Sequence, residues 1–149
     1  MAGIDAALKK RNKQTILQAN PLFDELNSAW EKIEKFFRTQ GILQSAFFPY
    51  GVETRWYNQA ESEVVGEYLI GIQKVKGKWH VCYGTRDLSD YEISDWTPIA
   101  ECSTELRIEL LNHVDKLFEK LVEANEKFVP EIEQAVAKSQ AVLKDLGIS

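Results

Sequence analysis

The side chains best suited to chemistry lie close together in the middle of the chain. Glu67, Gln73, His80, Cys82 and Arg86 offer a carboxylate, an amide, an imidazole, a thiol and a guanidinium, and Asp87, Asp90, Glu92 and Asp95 follow directly. What the first set can do depends on whether it shares a face. Lys76-Gly77 sits between two apolar runs and reads as a two-residue hairpin turn. Paired residue numbers then sum to 153, which sets Glu67 opposite Arg86, Leu69 opposite Gly84, Gly71 opposite Cys82 and Gln73 opposite His80. Side chains alternate across a strand, so these eight residues share one face. One reading of that face is a polar binding floor. Arg86 would reach an anionic group as a forked donor, and the glycines would let a ligand or a helix approach the backbone. The plainer reading is a sheet face half covered by a helix, with Glu67–Arg86 an ordinary cross-strand pair worth at most about 1 kcal/mol.

Catalysis and metal binding draw less support. His80 and Cys82 start roughly 7 Å apart on a strand and run parallel, a poor geometry for a nucleophile and its base. A buried thiol beside a hydrogen-bonded imidazole is the commoner arrangement. The Asp87–Asp95 carboxylates are oxygen ligands of the kind calcium takes, but they lack a central glycine and fixed ligand spacing, so a solvated loop is the better reading. His113 is too distant in sequence to complete a ligand set. Phosphate-loop, dinucleotide, zinc-protease, nucleophile-elbow and CxxC motifs are all missing from the sequence. A small hydrolase or transferase using His80, Glu67 or Cys82 is therefore the weakest alternative. No cofactor and no metal is called for.

The elements that must position these groups fall into three zones: helical, strand-like, helical. Ile4 to about Gln18 reads as a short amphipathic stretch. Asn20-Pro21 interrupts it and starts a new helix, with Asn as the cap and Pro at the first helical position. Phe23, Leu26, Trp30, Ile33 and Phe37 then recur at steps of three and four, one stripe of a helix that Gly41 ends. From Phe47 to Thr97 the chain is rich in Val, Ile, Tyr, Trp and Thr, which suit strands. The chosen hairpin register turns Tyr68, Ile70, Ile72, Tyr83, Val81 and Trp79 towards the core. A strand near Gly51–Asn58 extends the hairpin to a meander of unfixed register. Residues 87–98 form a polar loop or short edge strand. Ser103 caps the last zone, where Leu106, Leu110, Val114, Leu117, Leu121, Phe128, Ile132 and Val136 keep helical spacing. A straight helix over 104–146 would be about 64 Å long, against a compact body roughly 38 Å across. It must bend or break, with Pro130 the expected place, or project and find a partner.

The whole reading is a single α+β domain over residues 1–149: helices over about 4–40, an antiparallel meander of three or four strands over about 47–97, and a long C-terminal helix bent or broken near Pro130. Hydrophobic residues make up 44% of the 149 residues, enough for a real core. A net charge of −5 argues against a nucleic-acid partner, despite the local cluster Lys9, Lys10, Arg11 and Lys13. No apolar run is long enough to span a bilayer. With no export signal, Cys82 and Cys102 read as free thiols in a reducing cytoplasm. The leading expectation is a non-enzymatic interaction protein that self-associates as a homodimer. Its expected contact residues are Phe47, Phe48 and Tyr50 on the aromatic edge and Phe118, Val122 and Val129 on the second stripe of the long helix. The alternative is a protein that binds a small anionic ligand through Arg86, Glu67, His80, Gln73 and Cys82.

Overall fold

The computed structural model describes residues 3–149. The chain runs α1 (Ala6–Gln40), β1 (Ala46–Trp56), β2 (Ser62–Val75), β3 (Lys78–Asp87), β4 (Thr97–Pro98), a 3-10 turn (Ile99–Glu101), α2 (Thr104–Leu111) and α3 (Val114–Asp145). The strands form one antiparallel sheet in the order β1-β2-β3-β4. The architecture is the expected α+β arrangement. β2 and β3 pair with residue sums of 153, from Gly66 opposite Asp87 to Val75 opposite Lys78. Lys76 and Gly77 both have positive φ, 51° and 82°, the turn whose twist matches that of the flanking strands.

The helices cover one face of the sheet. Phe48, Ile70, Ile72 and Val81 point into the same core as Trp30 and Phe37 of α1, Leu110 of α2, and Leu117 and Leu121 of α3. Trp30 Nε1 donates to the Arg107 carbonyl at 3.0 Å, which satisfies the one polar atom of a buried ring. Farther along, the rings of Phe36 and Phe37 meet Phe118 at 5.3 and 5.9 Å. Farther still, Asn125 donates to the Gly41 carbonyl and accepts from Leu43 N–H. As α1 runs from Phe37 to its cap Gly41, its partners on α3 run from Phe118 to Asn125, so the two helices run in the same sense where they touch.

Neither helix break that the sequence suggests is found at its expected place. α1 continues through Asn20-Pro21 as one helix of 35 residues, capped by Asp5 rather than restarted by Asn20. α3 continues through Pro130 for 32 residues and is not broken there. The break lies earlier, at Asn112–His113, between α2 and α3. A proline inside a helix removes one N–H and strains the turn before it. Pro21 and Pro130 both lie in exposed segments, where water can serve the carbonyl left without its donor. Gly41 at φ 105° and Ser103, whose hydroxyl accepts from Leu106 N–H, end and begin helices as their residue types require.

Candidate functional site

The outer face of the β2–β3 hairpin is filled rather than open. The loop after β3 folds back along it, with Ser94 N–H donating to the Thr85 carbonyl and Thr85 N–H to the Ser94 hydroxyl. This return lays Trp96 over Gly71 and Gly84. A Cβ at Gly84 would stand 2.9 Å from the indole, and one at Gly71 would stand 3.1 Å from it. Leu69 and Cys82 beneath are fully buried. Phe47 packs on Trp96 at 5.7 Å between ring centres. The space that the glycines leave is therefore taken by a side chain of this chain. Trp96 was not among the expected site residues, although two diagonal glycines on one face leave room for a flat ring laid on the sheet.

The five candidate ligand residues are divided among separate contacts. Arg86 Nε and Nη2 both reach Glu67 Oε1, at 2.9 and 2.7 Å. His80 Nδ1 lies 2.9 Å from Glu34 Oε2 on α1, and Arg38 reaches the same oxygen. Gln73 stands beside His80 in the ladder. Burial pushes the Cys82 thiol up to about 12, with the Glu34 and Cys102 charges adding to it, so it stays protonated. Arg86 lines a cavity of about 510 Å³ at the end of the sheet, where Glu53, Glu63 and Asp87 stand against Arg55 and Arg86. Three carboxylates against two guanidiniums do not favour an anion there. Among the described residues, no group of three or more His, Cys, Asp or Glu side chains is placed to hold a metal ion.

The expected contact residues also separate. Phe48 is a core residue, 4% exposed, and so unavailable as a surface. Phe118 is half-buried among the α1 rings. Phe47, Val122 and Val129 are exposed.

Tyr50 belongs to a cavity the sequence did not reveal. β1 slips one residue against β2 between Pro49 and Gly51, so Tyr50 is the extra residue of a bulge and Gly51 faces Tyr68. Tyr50, Tyr68 and Tyr83 make the floor, with Gly51 and Val52 beside them. Leu106 and Glu109 of α2 form the wall of the resulting space of about 400 Å³. His113, in the break between α2 and α3, stacks on Tyr50 at 4.6 Å and 27°. Its Nε2 lies 3.3 Å from Glu109 Oε1. Burial, and then the neighbouring acidic groups, raise the Tyr50 and Tyr83 phenols above the ordinary tyrosine range, so both stay neutral donors. The register of the first strand, which sequence alone left open, carries the missing signal.

The largest exposed apolar features are helical. From Ala6 to Glu25, α1 is exposed except at half-buried Ala19, and from Glu126 to Asp145, α3 is exposed except at half-buried Phe128. These arms leave the body at opposite ends, because α1 and α3 run in the same sense where they meet. Each arm prolongs a stripe that is buried in the body. On α1 the stripe of Trp30 and Phe37 continues to exposed Phe23 and Ile16. On α3 the stripe of Leu117 and Leu121 continues through Phe128 to exposed Ile132 and Val136. The arms differ in charge. α1 carries Lys9, Lys10, Arg11 and Lys13 with no acid between Ala6 and Phe23. The α3 arm, Glu126–Asp145, carries four acids and three lysines, a net −1. No helix among the described residues is long and apolar enough to cross a membrane. No protein-family model matches the chain, and no characterised protein or solved structure matches it significantly.

Proposed function

We propose that this protein is a non-enzymatic interaction module that self-associates as a homodimer, the α1 arm of each copy lying antiparallel along the α3 arm of the other. The observation that carries this reading is the continuity of the two stripes. Each is covered by the chain's own body over half its length and by nothing over the rest. Two further features favour a second copy as the cover. The arms have equal length, 20 residues or about 30 Å each. They leave opposite ends of the body, so a two-fold axis brings each arm onto its complement, twice, and closes the assembly. Four helix strips about 30 Å long and roughly 10 Å wide bury on the order of 1,200 Å², the lower bound of a stable interface. The two free, buried thiols fit a reducing cytoplasm.

Light scattering behind a sizing column tests the reading. The expected result is twice the 17.1 kDa chain mass, and it should persist at high salt because the contact is apolar. Ile132→Asp and Ile16→Asp should each give a monomer that keeps its far-ultraviolet circular dichroism. A monomer at every concentration, or a dimer indifferent to both substitutions, contradicts it.

A further inference from the structure

We propose that the tyrosine-floored cavity between the sheet and α2 binds a small organic cation, a methylated or quaternary ammonium group. Its carriers are Tyr50, Tyr68, Tyr83 and Glu109. This does not depend on self-association, since none of these residues lies on an arm.

The cavity is built by the backbone. The bulge at Tyr50 sets that ring beside Tyr68, at 6.2 Å between centres and 29° between planes. Gly51, opposite Tyr68, contributes no side chain, so the floor remains open instead of filled. His113 packs behind Tyr50 and fixes its ring, while its Nε2 holds the Glu109 carboxylate near the rim.

The chemistry of the lining selects charge. Aromatic faces carry a negative quadrupole and attract cations, and quaternary ammonium groups are the ligands such rings bind best. Glu109 adds a full negative charge, and its side chain is 54% exposed, so it can meet a ligand at the mouth. Among the described residues, no lysine or arginine lines the space. Burial does most to raise the Tyr50 phenol above the ordinary tyrosine range, and the Glu109 charge adds to it. The nearby ring of Phe48 already holds a cation of the protein's own, Lys116 Nζ at 4.8 Å. An anion would be repelled by Glu109.

The test titrates the full chain with choline and, separately, with its uncharged isostere 3,3-dimethyl-1-butanol, reading amide shifts by nuclear magnetic resonance. Choline should give saturable shifts at Tyr50, Gly51, Tyr83 and Glu109, and the isostere should bind at least about tenfold more weakly. Glu109→Gln, a change on an exposed helix face, should weaken choline about tenfold without altering the fold. Tyr68→Leu should weaken it as well. If Tyr68→Leu does not fold, Glu109→Gln and the isostere decide the matter alone. Equal binding of choline and isostere, choline binding unaffected by Glu109→Gln, or no saturable shift at these residues overturns the proposal.

Discussion

The outer face of the hairpin turns on one ring. Trp96 lies on two glycines, and a methyl group at Gly84 would stand 2.9 Å from its indole. Gly84→Ala should therefore cost about 1–3 kcal/mol of unfolding free energy by overpacking. The same substitution should cost much less in a Trp96→Ala background, a coupling that a double-mutant cycle by urea unfolding measures directly. Cys82, beneath that ring, gives a pH prediction. Burial raises its thiol from an ordinary 9.0 to about 12. Below pH 9 both folded and unfolded chains keep the proton. Between 9 and 12 only the unfolded chain releases it, so stability falls as pH rises through that window, by at most about 1.4 kcal/mol per unit for this group. Cys102, Tyr50 and Tyr83 shift in the same direction. Urea midpoints should stay flat up to about pH 8.5 and drop above 9, and Cys82→Ala should make the drop shallower. At this scale the sequence displayed the diagonal glycines but not their occupant. Trp96 reaches them only through the backbone bonds that tie Ser94 to Thr85.

The hairpin was the most legible element, and the reason is physical. A one-residue slip would scatter Ile70, Ile72, Val81 and Tyr83 between faces, so the apolar pattern allows one register. Its turn still carries a flaw, because Lys76 adopts φ 51°, a conformation that favours glycine or asparagine. Lys76→Asn should raise stability by about 0.5–1 kcal/mol, read as a higher urea midpoint with an unchanged slope. Gly77→Ala should lower it by a similar amount, although nothing lies within 4 Å of the added carbon, since φ there is 82°. The first strand was not legible, because its bulge at Tyr50 depends on how Pro49 and Gly51 meet β2. With it went the tyrosine cavity. The two prolines misled in a consistent way. Each could end a helix in a packed core, but each sits in an exposed arm, where a lost backbone bond is tolerated. Pro130→Ala should therefore increase helical circular dichroism without moving the Trp30–Leu117 core.

For the whole molecule, the length mismatch visible in the sequence proves to be the central fact. The body cannot cover helices of 35 and 32 residues, and both overhang it. The overhangs carry Ile16 and Phe23 on one side and Ile132 and Val136 on the other, each more than a third exposed. A reciprocal dimer covers both pairs with one contact repeated twice. Antiparallel arms of equal length bring their midpoints together, Ile16 of one copy near Val136 of the other. The test is disulfide formation between chains bearing Ile16→Cys and chains bearing Val136→Cys, since the native Cys82 and Cys102 are only 0% and 7% exposed. Reciprocal pairing predicts fast cross-linking in the mixture and little in either variant alone. Cross-linking of Val136→Cys with itself, or none in any combination, would contradict it.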